Sequence, residues 1–410
     1  MGMKCVFSVD DLVFWFVITD ILLLPYFNLI VIPLSFFVII LWVIQNRGIV
    51  KRSQDYKGLL LCVILMVVST LMGTVVNSAY GVTFDNIKRL LQYGISFEYL
   101  YFFRHYFSRQ RPNLKRILYI FILFVVGLAV IFQINPTIYS TICSIFNKGN
   151  AYISSSFLDS VYYGYTLRYG FIWTDQNNIA YALTGIIMFI LIFFKHDFVE
   201  TIVLFVANVF VLFCCMSSGG WIGFAISWLL YLLYRITKMK NTSLVISRKM
   251  LISFVLIAFI IFLVVDSGIL SQFMESDLVN AATERFENNE NSRTEIWLRI
   301  LEGENIFKHT LMGNGSTLII NGVSKAAHSG HLYWIYAYGM LSYFIFMKKF
   351  FWFGTKKVWK YIPIISFFLC FTMNTMVGEQ KLLLIYIMIV AYLREVDNNE
   401  CSSQSCYSSI

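Results

Sequence analysis

Charged residues and prolines are both scarce in this chain of 410 residues. Only 13% of the residues are charged, whereas soluble domains have about 25%, and the chain contains five prolines. Hydrophobic residues make up 58%, and the mean hydropathy is +0.70. This composition excludes an ordinary soluble domain, and the rarity of proline permits long helices. We therefore predict an all-α fold, a polytopic membrane helix bundle.

Metal-binding cysteine spacings and a removable signal peptide are also absent from the sequence. The eight cysteines form no CxxC pair, so we expect inert thiols. The N-terminal apolar run lacks a small-residue cleavage site, and we expect it to be retained. The net charge of +9 does not indicate nucleic acid binding, because Lys and Arg of membrane proteins collect in cytoplasmic loops.

The apolar runs predict about twelve membrane helices, each long enough to approach the bilayer core thickness of about 30 Å. The predicted helices are 12–25, 29–46, 58–78, 87–107, 117–134, 177–194, 199–216, 221–235, 250–266, 331–347, 361–377 and 381–394. They divide the chain into helices 1–5 (1–134), a first loop (135–176), helices 6–9 (177–266), a large loop (267–330), helices 10–12 (331–394) and a polar tail (395–410) that we expect to be disordered.

Orientation follows from the positions of the basic residues. With the N-terminus in the cytoplasm, the short basic loops around Lys51, Arg248 and Lys357 all lie inside. The two polar loops, 135–176 and 267–330, then lie on the extracytoplasmic side. We expect any chemistry to be located in these loops.

The large loop contains a helix start next to a cation. Ser292 to Glu295 has the form of a capping box, which places Arg293 in the first turn of a helix. A guanidinium beside free backbone N–H groups suits an anion such as phosphate. The alternative is a solvated Arg293 paired with Glu290 or Glu295.

Two histidines, His328 and His331, lie where this loop returns to the membrane. They lack the further ligands that a zinc site requires. An imidazole at this boundary suits a general base or a ligand of a substrate hydroxyl, because its pKa is near neutrality. A purely structural histidine is the alternative.

Several ionisable residues lie inside predicted helices, and such residues face a protein interior or a wet cavity. They are Asp20, Lys88, Arg89, Glu98 and Arg104. Arg104 and Glu98 are spaced so that they can pair with each other. In the first loop, Arg168 precedes a helix among tyrosines and Trp173, which an interfacial aromatic belt or stacking on sugar rings would explain.

The order of these features resembles the bacterial O-antigen polymerases and O-antigen ligases, which are polytopic membrane glycosyltransferases with one large extracytoplasmic loop late in the chain. The late-loop pattern is an Arg before a Trp, a Gly-x-Gly turn, and a His followed by Leu and a later Gly. The matching residues are Arg293, Trp297, Gly313-Asn314-Gly315, His328, Leu332 and Gly339.

An earlier-loop pattern of Arg, Gly and Asn matches Arg168, Gly170 and Asn178. Two departures stand out. Ser329 replaces the Asn that follows the histidine, and Ser218-Gly219-Gly220 lacks the Arg often found in that turn, which puts a phosphate-binding role for the turn in doubt.

The resemblance implies a reaction of glycan linked to undecaprenyl diphosphate, with donor and acceptor as partners and no cofactor or metal. Arg168 and Arg293 would stabilise the diphosphate, and His328 would orient or deprotonate the acceptor hydroxyl. The substrate-binding residues would be Asn178, Trp297, His331 and Arg299. The implied location is the bacterial inner membrane with catalytic loops on the periplasmic side, and a chain-length regulator protein is a further partner that the family allows.

Polymerase and ligase differ in the acceptor, which is another lipid-linked repeat unit for the first and lipid A-core for the second. The 39 Phe and 25 Tyr and the divergent motifs favour the polymerase. A lipid-linked oligosaccharide flippase, or another transporter, is the alternative from a different functional class. It would explain the helices and buried charges but not the long polar loop.

Overall fold

We describe the protein from a computed structural model. It describes residues 8–24, 26–27, 32–53, 55–76, 83–146, 168–173, 175–239, 313–315, 318–320, 323–325, 327, 329–352, 357–374, 376 and 379–407. Most of these residues are helical, which confirms the predicted all-α class.

The helices follow one another as α1 (Val9–Leu23), α2 (Phe36–Gln45), α3 (Arg47–Arg52), α4 (Tyr56–Val76), α5 (Thr83–Arg109), α6 (Lys115–Ile134), α7 (Pro136–Phe146), α8 (Gln176–Phe193), α9 (Phe198–Cys215), α10 (Ser218–Met239), α11 (Gly330–Phe350), α12 (Ile362–Met373) and α13 (Gln380–Tyr407). A 3₁₀ turn, Val358–Tyr361, precedes α12. Two short antiparallel hairpins pair β1 (Tyr26–Phe27) with β2 (Ile32–Pro33) and β3 (Leu318–Ile320) with β4 (Val323–Lys325).

Four of the described helices, α4, α6, α9 and α10, are long and apolar enough to cross a membrane. One side of each carries exposed apolar residues such as Leu71, Leu123 and Val203. That arrangement is expected for helices that face lipid. The total of about twelve spans stays a prediction.

The centre of the bundle is formed by α8 and by the first half of α13. From Asn178 to Leu191 every side chain of α8 is buried, and the same holds for α13 from Gln380 to Ala391. A helix that is apolar on all sides belongs in the interior of a bundle. The helix α12 packs on α8, and α5 packs on α13.

Two sequence expectations are wrong. The predicted second helix, 29–46, is instead the β1–β2 hairpin followed by the ten-residue α2, because Pro33 stands in the hairpin and cannot donate within a helix. The tail after residue 394 is not disordered up to Tyr407, since α13 continues through it. The segment predicted as the first loop, 135–176, contains the helix α7, and its extracytoplasmic location stays a prediction. The predicted helix 250–266 lies outside the described residues.

One end of the bundle is held by charged residues, and we call it the Asp55 end. The carboxylate of Asp55 contacts Arg104 and lies 2.7 Å from Lys349 Nζ and 3.2 Å from Arg394 Nη1. Arg104 also pairs with Glu395 at 2.9 Å. The pairing of Arg104 with Glu98 that the sequence allows is not formed, since Arg104 pairs with Asp55 and Glu395 instead.

Electrostatics at the Asp55 end favour the ionised carboxylate. Burial raises the pKa of Asp55, but Arg394, Arg104 and Lys349 together outweigh that effect and hold the pKa below its ordinary value. The four residues belong to segments predicted to be near the cytoplasmic side. Their convergence on one end is consistent with that division of the chain.

A kink divides α11 at Gly339, whose φ of 80° and ψ of 166° are non-helical. In a regular helix, the carbonyls of Tyr336 and Ala337 would each accept from the N–H four residues later. The kink at Gly339 lies between these carbonyls and those N–H groups, so both carbonyls need other donors. The N–H groups of Asn314 and Gly315 donate to these two carbonyls at 2.8 and 2.9 Å. The Gly313–Gly315 turn thus enters the bundle between α4 and α11.

Candidate functional site at the Arg168 end

Three of the residues predicted to act in the site are described by the structure, namely Arg168, Asn178 and His331. All three lie at the end of the bundle opposite Asp55, which we call the Arg168 end. The other four, Arg293, Trp297, Arg299 and His328, lie outside the described residues. The neighbours of His328 in the chain, Ala327 and Ser329, are both buried.

The segment Arg168–Trp173 is held against α6, α7 and α9 by its own backbone and by tyrosines. The N–H of Tyr169 donates to the Cys214 carbonyl at 2.9 Å, and the Tyr169 hydroxyl donates to the Val125 carbonyl at 2.7 Å. Tyr139 of α7 donates to the Phe171 carbonyl at 2.6 Å. Tyr169 and Trp173 are buried, so an interfacial belt does not explain these two aromatic residues.

Arg168 itself is fixed at the C-terminus of α9. Its Nε donates to the Cys215 carbonyl at 2.9 Å, and its Nη2 donates to the Met216 carbonyl at 3.0 Å and to Asn177 Oδ1 at 3.0 Å. A cation is favourable there because the last carbonyls of a helix carry partial negative charge. The positive charge is therefore placed at the mouth of the bundle by backbone groups.

Replacing Arg168 with lysine is expected to destabilise the protein although the charge is kept. A lysine ammonium is a single point and cannot span the three acceptors that the planar guanidinium reaches. We expect a loss of about 1.5–3 kcal/mol, the range for one hydrogen bond to a charged group, measured as the unfolding free energy in detergent. Arg235→Lys, at an exposed position of α10, is the control, and an equal response of the two variants would contradict the assignment.

A network of amides and one carboxylate continues from Arg168 across to α12. Asp175 caps α8 through Oδ1, which accepts from the Asn177 N–H at 2.8 Å and from Asn177 Nδ2 at 3.0 Å. Asp175 Oδ2 accepts from Asn374 Nδ2 at 2.6 Å, and the same nitrogen donates to Asn178 Oδ1 at 3.1 Å. We call Asp175, Asn177, Asn178 and Asn374 the Asp175 cluster.

Backbone strain is concentrated around this cluster. The described residues with positive φ other than glycine are Phe171 (61°), Met216 (47°) and Met376 (50°). Phe171 and Met376 lie two or three residues from Arg168 and Asn374 in the sequence, and the carbonyl of Met216 accepts from Arg168. Side chains rarely adopt this conformation, which costs about 1–3 kcal/mol at each site, and such residues concentrate at functional sites.

His331 holds the kink of α11 rather than pointing into an open site. Its Nδ1 is 3.0 Å from the Tyr343 hydroxyl, and its Nε2 is 3.0 Å from Thr372 Oγ1. A second bond across the kink runs from Trp334 Nε1 to Ser342 Oγ at 3.0 Å. Both ring nitrogens of His331 are thus occupied by side chains of the protein, and its substrate-binding role stays a prediction.

A buried ion pair lies beside the connection from α12 to α13. Lys381 Nζ is 3.3 Å from Asp20 Oδ1 and donates to the carbonyls of Asp20 at 2.6 Å and Leu24 at 2.5 Å. Asp20 Oδ2 also accepts from the Ser35 N–H at 2.6 Å. The predicted interior location of Asp20 is confirmed, and its partner is now identified.

The sequence interpretation missed Asp175, Asn177, Asn374 and Lys381. A signal was present for the first two, because Asp175-Gln-Asn-Asn178 is an N-cap residue followed by amides at the start of an apolar helix. The segment Asn374–Lys381 was a second signal, since polar residues there interrupt a long apolar stretch. Their contacts depend on which helices pack together, and that could not be obtained from the sequence.

The Arg168 end therefore brings a fixed cation, a carboxylate and three amides to one mouth of the bundle. Such a set can bind a polar ligand that has both an anionic part and hydroxyl groups. Comparison of the sequence with protein-family models and with curated proteins finds no match to either.

Proposed function

We propose that the protein is a polysaccharide polymerase of the bacterial inner membrane. It would transfer glycan from undecaprenyl diphosphate to a sugar hydroxyl of another lipid-linked repeat unit at the periplasmic face. The observation that supports this most is the position of the resembling residues. Arg168 and Asn178, from the earlier pattern, lie at the same end of the bundle as Ser329, which precedes α11 and follows His328 of the later pattern in the chain.

The glycines of the resembling pattern also meet each other. A Cβ on Gly313 would be 2.6 Å from the backbone nitrogen of Gly339, so the two chain segments touch without room for a side chain. Both glycines adopt a positive φ. The close contact between Gly313 and Gly339 explains why this chain has glycine at both of these positions.

In the proposed reaction, the acceptor hydroxyl oxygen attacks the anomeric carbon of the donor sugar. The bond from that carbon to the diphosphate oxygen breaks, and undecaprenyl diphosphate leaves with the bonding electron pair. His328 would take the hydroxyl proton, and the guanidiniums of Arg168 and Arg293 would stabilise the charge that develops on the diphosphate. The reaction requires no oxidant or reductant.

The glycan ladder of cells tests this proposal. Deletion of the gene is expected to reduce the ladder to a single repeat on lipid A-core, and the wild-type gene should restore it. His328→Ala and Arg293→Ala should each fail to restore it, since losing a catalytic group typically costs at least about a hundredfold in rate. His196→Ala should restore the ladder, because His196 contacts Phe194 and Tyr231 in the connection at the far end of α8.

The other results separate the alternatives. Loss of all glycan from the core, with long polymer still on undecaprenyl diphosphate, would identify a ligase. A normal ladder with both His328→Ala and Arg293→Ala would contradict the catalytic assignment and favour a transporter.

A further inference from the structure

The Asp175 cluster contains a group that does not suit a diphosphate. A carboxylate only accepts hydrogen bonds and repels phosphate oxygens. Hydroxyl groups of a sugar both donate and accept, and they match a carboxylate beside amides. We infer that the Asp175 cluster binds the hydroxyls of the sugar ring attached to the diphosphate, an inference that rests on the proposed function.

Helix capping alone does not account for the arrangement of Asp175. Asp197 caps α9 with one oxygen, which accepts from the Glu200 N–H at 2.7 Å. Asp175 caps α8 in the same way with Oδ1, but its Oδ2 reaches another helix and accepts from Asn374. The second oxygen therefore joins the start of α8 to the end of α12.

The cluster is open to a ligand at its rim. Asp175, Asn177 and Asn374 are half-buried, whereas Asn178 is buried below them. Side chains at such a rim can exchange water for ligand hydroxyls, and the buried amide keeps them in place. The three half-buried members are one carboxylate and two amides.

The position of Arg168 indicates which side of the cluster would bind the diphosphate and which would bind the sugar. Asn177 bonds to Arg168 through Oδ1 and to Asp175 through Nδ2, so the cation and the carboxylate lie on opposite sides of one amide. A diphosphate placed toward Arg168 would direct its sugar toward Asp175. The cluster would then recognise which hydroxyls the first sugar carries, and it would determine donor specificity.

Asp175→Asn tests the inference, with Asp197→Asn as the matched control. Asparagine caps a helix as well as aspartate does, so both variants should keep their helix starts. Binding is measured by native mass spectrometry for two probes, the lipid-linked glycan extracted from cells lacking the gene and undecaprenyl diphosphate itself. We expect Asp175→Asn to bind the lipid-linked glycan at least about tenfold more weakly, as for the loss of one charge-assisted hydrogen bond, and to bind undecaprenyl diphosphate as wild type does.

A charge-swapped double variant, Asp175→Asn with Asn374→Asp, separates binding from folding. It rebuilds the carboxylate–amide pair between α8 and α12 with the partners exchanged. We expect it to regain part of the thermal stability lost in Asp175→Asn, since a carboxylate at position 374 cannot donate to Asn178 Oδ1, but not the preference for the lipid-linked glycan. Recovery of both properties would show that the pair only supports the fold, and this would overturn the inference.

The remaining results are also decisive. If Asp175→Asn keeps the wild-type preference, or weakens both probes equally, the sugar subsite is refuted while the proposed function stands. If the wild-type protein binds neither probe, the proposed function fails, and the inference fails with it.

Discussion

Asp55→Asn is expected to lower the unfolding free energy far more than neutralisation of a partly exposed acid such as Asp10. The substitution leaves Arg104, Lys349 and Arg394 without the carboxylate that they share, and that carboxylate is almost fully buried. Removing one partner of a buried ion pair costs about 3–5 kcal/mol, because the other charge stays buried and unpaired. Chemical unfolding in detergent would measure the loss.

The control for this change is Asp10→Asn. Asp10 is more exposed and its ion-pair distances are long, 3.8 Å to both His105 and Arg109. Its Oδ1 also accepts from Trp42 Nε1 at 3.2 Å, and an asparagine Oδ1 can accept the same bond. Exposed pairs contribute about 0–1 kcal/mol, so this variant should remain close to wild type. Equal losses for the two variants would show that the Asp55 contacts do not determine stability.

The same contacts predict a dependence on pH. The pKa of Asp55 lies below its ordinary value of 3.8 in the folded protein. Its stabilising effect is therefore complete above the ordinary pKa and is lost as the pH falls through the lower folded-state pKa. The difference in melting temperature between wild type and Asp55→Asn should be constant near neutrality and should shrink in that acidic range.

Gly73→Ala is expected to displace the Gly313–Gly315 turn. A Cβ on Gly73 would overlap the carbonyl oxygen of Asn314 and lie 2.6 Å from both its carbonyl carbon and Gly315 Cα. These atoms are backbone, so the turn must move, and overpacking of this kind costs about 1–3 kcal/mol or more. We expect loss of unfolding free energy in detergent and, because His328 of the proposed site follows the turn in the same loop of the chain, loss of the glycan ladder as well.

Gly94→Ala, on the neighbouring helix α5, is the control for Gly73→Ala and is expected to have the opposite effect on stability. No heavy atom lies within 4 Å of a Cβ at Gly94, and alanine in a helix interior is favoured over glycine by about 0.5–1 kcal/mol. The control should therefore be slightly more stable than wild type. If Gly73→Ala behaves as Gly94→Ala does, the turn is not seated against α4.

The sequence predicted the helical class and most helix positions because apolar runs are long and local. It failed at residues 29–46, where Pro33 and a short hairpin interrupt an apolar run that looks continuous, and at the tail, where α13 extends beyond its apolar part. Periodicity also could not show that α8 and α13 are the most buried of the described helices, since this depends on which helices pack against each other.

The same limit applies to the candidate site. Arg168 and Asn178 were identifiable from their order and spacing near a helix start. The Asn374 contacts to Asp175 and Asn178, and the Lys381 contact to Asp20, join residues nearly two hundred or more positions apart. Partners so far apart in the sequence are determined by packing, and for the same reason the sequence offered only the nearby Glu98 as a possible partner of Arg104.

The kink in α11 has a consequence for assembly of the protein in the membrane. Backbone carbonyls exposed to lipid are costly, because no water is present to replace the missing donors. The donors for Tyr336 and Ala337 come from Asn314 and Gly315, which are synthesised shortly before them. We expect α11 to enter the bilayer together with that turn as one inserted hairpin, so that neither segment is stable in lipid without the other.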